Sequence, residues 1–128
     1  NLDFNTYGIL AATEAFLAED PEQAQAVVNA YEKARAWAAE NPEETAQILA
    51  DVAGLDLAVA QTVVLERSNL DVDPAPGEAQ RKVLGKIGPT LVETGDVAGQ
   101  AAVDEALEGL FDDSFVKSAD PESISDTK

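Results

Sequence analysis

The side chains that most often perform chemistry are missing from this sequence. Its 128 residues include no histidine and no cysteine. That removes the commonest general base, the commonest neutral metal ligand, the thiol nucleophile and the thiolate metal site. A serine or threonine nucleophile would depend on a lysine or a carboxylate for activation, and no Gly-x-Ser-x-Gly elbow is present. Carboxylates are paired at Glu43-Glu44 and Asp112-Asp113. Neighbours in a helix do not face one another, and both pairs stand where acids suit a helix end or a loop. Asp71-Val72-Asp73 runs into Pro74 and lacks the glycine and distal glutamate of a calcium loop. Glycines 85, 88, 95 and 99 match neither a dinucleotide nor a phosphate-loop spacing. The expectation is a protein that is not an enzyme and carries no metal and no cofactor.

Two polar groups suit ligand binding instead. Asn5, Thr6 and Tyr7 fall in the segment that reads most like a strand, where hinge or cleft residues of a two-lobed binder would lie. Arg67 stands at the end of a helical pattern beside Ser68 and Asn69, where a guanidinium could meet an anion. The plainer readings are a hydrogen-bonded edge strand and a cation facing the negative end of a helix.

Twenty-five acidic against eight basic residues give a formal charge of −17. Phosphate backbones are bound by clustered Lys and Arg, so this balance argues against nucleic acid and against anionic membrane surfaces. It does not exclude a small anion held by backbone N–H groups and one arginine. No apolar run approaches the roughly 20 residues that span a bilayer. The chain opens on Asn1-Leu2-Asp3-Phe4 with no signal sequence, which suggests a processed product or an excised piece.

The elements that must position these groups are mostly helical. Aromatic and β-branched residues predict one strand over 4–12. Asp20-Pro21-Glu22 and Asn41-Pro42-Glu43 are helix starts: a capping side chain, a proline pre-set for the first turn, then an acid. Helices are predicted over about 21–40, 42–53, 57–68, 77–94 and 102–110. In the first, Ala24, Val27, Val28, Tyr31, Ala34 and Ala38 form the expected inner face, with Trp37 at its edge and Gln25, Glu32 and Lys33 opposite in solvent. Thr45, Ile48, Leu49 and Val52 are the expected inner face of the second, with Gly54 as left-handed terminator. Ala60, Val63 and Val64 serve the third, and Val83, Leu84, Ile87 and Leu91 the fourth, with a kink expected at Pro89. Residues 1–117 form the structured region and 118–128 a flexible tail.

Several motifs, in order, resemble the sulfonate/taurine/nitrate-type solute-binding proteins of ABC importers. Residues 7–16 followed by Glu19-Asp20-Pro21-Glu22 are similar to that family's extended segment and its "F-x-x-x-x-P-E" helix start. Trp37 through Ala46 resembles its "W-x-x-x-N-P-E-E-A" stretch, and Leu110-Phe111-Asp112-Asp113-Ser114-Phe115-Val116 its closing "L-F-D-x-S-F-V". Gly54-Leu55-Asp56 and Glu66-Arg67-Ser68-Asn69 fall between them in the same order. The resemblance implies two α/β lobes around a cleft, of which this chain would supply the C-terminal portion. The fold class expected is therefore mainly α, a bundle-like piece with one short N-terminal strand. It implies an extracytoplasmic location, periplasmic or on a cell-surface lipoprotein. The implied partners are a sulfonate-like anion and ABC permease subunits. A piece without its first lobe would expose the surface that meets it, which favours self-association. The alternative is a free-standing helical module that docks a protein partner through an apolar helix face.

Overall fold

Prolines placed just inside helix starts set the lengths of the first elements. In a computed structural model, which describes residues 8–125, the chain is mainly helical. Helix α1 covers Glu14–Glu19, α2 Pro21–Glu40 and α3 Pro42–Ala53. Thr13 Oγ1 accepts the Phe16 N–H at 3.2 Å to cap α1, and Asp20 Oδ1 accepts the Gln23 N–H at 3.2 Å to cap α2. Each cap is worth about 1 kcal/mol against alanine. The Asn41 carbonyl accepts the Thr45 N–H of α3 at 2.9 Å, but the Asn41 side chain serves the preceding helix. Its backbone N–H and its side-chain Nδ2 both donate to the Trp37 carbonyl, at 2.9 and 2.8 Å. Gly54 takes φ +65° after α3, a conformation that an L side chain rarely adopts, and lets the Leu55 N–H reach the Ala50 carbonyl at 3.0 Å.

Helix α4 spans Leu57–Gln61 and widens into a π-helical turn over Thr62–Arg67. After a connector, α5 covers Glu78–Glu93, α6 Gln100–Gly109 and α7 Ser114–Lys117, with a 3-10 turn at Pro121–Ser123. Helix α5 runs through Pro89 without a break, so the proline is absorbed inside one element. Among the described residues there is no strand. Residues 8–12 are irregular and exposed, which corrects the strand expected over 4–12 for the part that can be seen. They have no sheet neighbour to pair with, and an isolated extended segment does not satisfy its own backbone groups. Residues 4–7 of that expected strand lie outside the described residues.

The packing forms two groups. Helices α1 to α4 lie against one another, whereas α5 packs on α6. The core of the first group is made of small side chains: Ala24, Ala46, Ala50 and Ala60, with Val64. In the second, Val103 is buried against Gly88.

This pattern overturns much of the expected inner face. Val27, Tyr31 and Ala34 on α2, and Ile48 and Val52 on α3, are exposed, with Val52 at 83%. Val63, Ile87 and Leu91 are exposed as well. Helix–helix approach here is close enough for alanine and leaves no room for larger side chains, so the small residues went inward. The chain exposes 9477 Å², against about 6,500 Å² for a compact monomer of this mass.

Candidate functional site

Helix α2 has two working faces, and they are inverted relative to its amphipathic pattern. At about 100° per residue, Val27, Ala30, Tyr31, Ala34 and Trp37 share one stripe. All five are exposed, Tyr31 at 59% and Trp37 at 40%. The opposite side holds Gln25, Asn29, Glu32 and Lys33, with Arg35 and the buried Ala24 at the edge of the stripe, and it is these residues that meet the rest of the chain.

The polar face binds chain segments that come from far along the sequence. Gln25 Nε2 donates to Asn29 Oδ1 and to the Phe115 carbonyl, both at 2.9 Å. Asn29 Nδ2 donates to Ser123 Oγ at 2.9 Å, while its Oδ1 also accepts the Asp120 N–H at 3.0 Å. Lys33 Nζ donates to the Ile124 carbonyl at 2.8 Å. Asn29 is only 7% exposed, and a buried amide with its donor and acceptor satisfied fixes one arrangement of its partners. Ser123 Oγ in turn donates to the Asp120 carbonyl at 2.6 Å, which closes the 3-10 turn into the shape that Asn29 holds. The segment expected as a tail from residue 118 therefore carries a turn and three bonds to α2 as far as Ile124; residues 126–128 lie outside the described ones.

A turn further along, Arg35 Nη1 donates to the Leu70 carbonyl at 2.7 Å, and Nη2 pairs with Glu32 Oε2 at 2.7 Å. The hydrogen bonds that Arg35 donates to the Glu32 carboxylate hold its guanidinium above its ordinary pKa, with burial opposing and the charges of Glu32 and Asp71 adding to the rise. Arg35 is thus a fixed cation that anchors the chain leaving α4.

The 110–116 motif joins the two helix groups. Phe111 lies under the Arg81 guanidinium of α5, 4.4 Å from its ring centroid, and Arg81 Nη1 donates to the Leu107 carbonyl at 2.8 Å. Phe115 offers its carbonyl to Gln25 of α2. Between them Asp112 Oδ1 accepts the Ser114 N–H at 2.8 Å, and hydrogen bonds from the Ser114 side chain and backbone hold the Asp112 carboxyl below its ordinary pKa.

Of the expected ligand residues, Arg67 alone falls among those described. Asn5, Thr6 and Tyr7 lie outside the described residues. Arg67 ends the π-helical turn with its side chain in solvent. It makes no hydrogen bond or ion pair to another described residue. Gln25, Glu32 and Lys33, expected in solvent, are instead half-buried and bonded, and Asn29 beside them carried no signal of its own because amides at surface-like positions read as solvation. The spacing of Gln25, Asn29 and Lys33, one turn apart each time, was the signal available. Among the described residues no cluster of acidic side chains could hold a metal ion, and no helix is long and apolar enough to cross a membrane.

No curated protein and no solved structure matches the chain. A family model described as NMT1/THI5 like matches residues 2–45, which takes in α1, α2 and the first turn of α3. Over that third of its length the chain is similar to a periplasmic-binding-protein family related to the solute-binding proteins of sulfonate, nitrate and thiamine-precursor ABC importers.

Proposed function

We propose that this chain supplies the helical, C-terminal portion of an extracytoplasmic solute-binding protein of an ABC importer. The solute is an aliphatic sulfonate or a related small anion, and the chain by itself is an incomplete binder. The observation that carries this reading is the outward apolar stripe of α2, inside the very stretch that matches the family. Large side chains at Val27, Tyr31 and Trp37 stay in water while alanines are buried, as suits a helix whose main packing partner is the other part of a larger body. Ile48 and Val52 extend the same condition to α3. Absence of histidine and cysteine fits capture without catalysis.

In this reading Arg67, Asn5, Thr6 and Tyr7 are ligand candidates by position. The permease contacts the complete protein. A charge of −17 opposes self-association through the apolar stripes at low salt, although the exposed surface favours it.

The test compares the full-length protein with this chain in thermal unfolding, each with an alkanesulfonate, taurine or nitrate. A ligand at about 100 times its dissociation constant adds about 2.7 kcal/mol to the stability of a binding-competent protein. The full-length midpoint should rise with at least one of these anions, and the midpoint of the chain alone should stay where it is. A strong shift in the chain alone would overturn the claim of incompleteness. Failure of every anion to move the full-length midpoint would overturn the assignment of the solute. The helical docking module remains the second reading, favoured by the same stripe. It requires that Tyr31→Ser abolish capture of a protein partner and leave solute binding by the full-length protein untouched.

A further inference from the structure

We infer that residues 115–124 form a latch: the polar face of α2 holds them, and their release lets the α5–α6 pair reorient against α1 to α4. The α5–α6 pair is built as an independent unit. Its helices meet each other through Gly88 and Val103 and through the Arg81 bond to the Leu107 carbonyl, and among the described residues neither makes more than marginal contact with α1 to α4. The chain leaves α4 through residues 68–77 and comes back after α6 through residues 110–124. Both passages are tied to α2, the outgoing one by Arg35 at Leu70 and the returning one by Gln25, Asn29 and Lys33.

The returning passage is fastened in a way that can be undone. No residue from 110 to 125 is fully buried, and Phe115, Val116, Pro121 and Ile124 are half-buried, so packing alone does not seal this stretch. The bonds that do hold it converge on three side chains stacked along α2, and three of the four acceptors or donors they meet are main-chain groups. A segment held by a few hydrogen bonds at a half-exposed surface opens at lower free energy than one held by packing. Asn29 is the pivot because it alone is buried and alone bonds both ends of the 120–123 turn. When it lets go, water can satisfy the freed backbone groups of 115–124. Among the described residues, the hydrogen bond from Arg35 to the connector at Leu70 then still ties the outgoing passage to α2.

The sequence has no cysteine, so a pair of introduced ones labels uniquely. Ala36→Cys on α2 and Glu93→Cys at the end of α5 are both exposed. Spin labels at these two sites in the whole chain report the distance between the two helix groups by pulsed electron resonance. The latched chain should give one narrow distance distribution. Asn29→Leu should widen it at least twofold with helix content by circular dichroism retained, and Ser123→Ala, which removes one of the bonds, should widen it less. Should Asn29→Leu lose helix, Gln25→Met and Ser123→Ala decide: a widened distribution in either supports the latch. Wild-type widths in both of these variants, or a broad distribution before any latch residue is changed, would overturn it.

Discussion

The union of α2 with the C-terminal segment and the union of α5 with α6 solve one problem by opposite means. At α5–α6, glycine and valine interlock and a single bond from Arg81 to the Leu107 carbonyl crosses beside them, so the fit is set mainly by shape. At α2, amides and an ammonium reach across to backbone groups, and the fit is set by hydrogen bonds. Shape complementarity tolerates no change of volume but is indifferent to pH and salt. A hydrogen-bonded union tolerates changes of volume and fails when a donor or acceptor is lost. The two ends of the same chain therefore respond to different perturbations, and only the second is suited to open and close.

The largest effect separating them is expected at Gly88. A Cβ there would overlap Val103 Cγ1, a branched side chain with no free end to swing away. Gly88→Ala gains up to about 1 kcal/mol of helix propensity but pays for overpacking, and should destabilise the chain by about 1–2 kcal/mol net. Urea denaturation measures it, and Gly85→Ala is the control because its nearest neighbour, Leu107 Cδ1, is 4.0 Å away. Equal behaviour of the two variants would mean that α5 and α6 are not held by shape.

A smaller effect is expected on the outer faces. Tyr31→Ser and Val52→Ser, made singly in this chain, should each change its stability by no more than about 0.5 kcal/mol, because these side chains are already in water. In the full-length protein the same substitutions should cost several times more if the stripe is covered there. Thermal or urea midpoints of the four proteins decide.

The smallest effect lies at the junction, where Asp112 is held below its ordinary pKa of 3.8 by Ser114. A depressed carboxyl contributes stability above its unfolded pKa and loses it as the pH falls through the folded one. Side-chain carboxyl shifts followed by NMR should place the Asp112 midpoint below 3.8, and Ser114→Ala should move it upward. No movement would show that the turn does not hold the carboxylate.

Helix starts and stops were readable from the sequence because they depend on local chemistry. Asp20, Pro21 and Pro42 act within one turn of themselves, and Gly54 needs only its own φ. The faces were not readable. Periodicity at Val27, Tyr31 and Ala34 marks a stripe that will be covered by something, but it carries no information on whether this chain supplies the cover. The alternation of alanine and large residues on α3 was equally ambiguous, and close approach chose Ala46 and Ala50 over Ile48 and Val52. The latch was hidden for a related reason. Gln25 and Asn29 meet residues some 90 positions away, and no local rule distinguishes an amide awaiting a backbone carbonyl from one awaiting water. Arg67 was legible as an isolated cation at a helix end, while Asn5, Thr6 and Tyr7 fall outside the described residues.

The widened turn that closes α4 bears on where that cation points. A π-helical turn accommodates one residue more than an α-helical one such as the α4 turn before it, so in evolutionary terms it is the footprint of a single insertion. Remove one residue between Thr62 and Arg67, and the helix can wind back to ordinary geometry. Everything downstream then turns by about 100° around the helix axis. Arg67 and the connector that Arg35 holds at Leu70 would leave on a different bearing, with no change in any side chain. The length of this one turn thus works as a dial for the direction in which the second half of the molecule sets out.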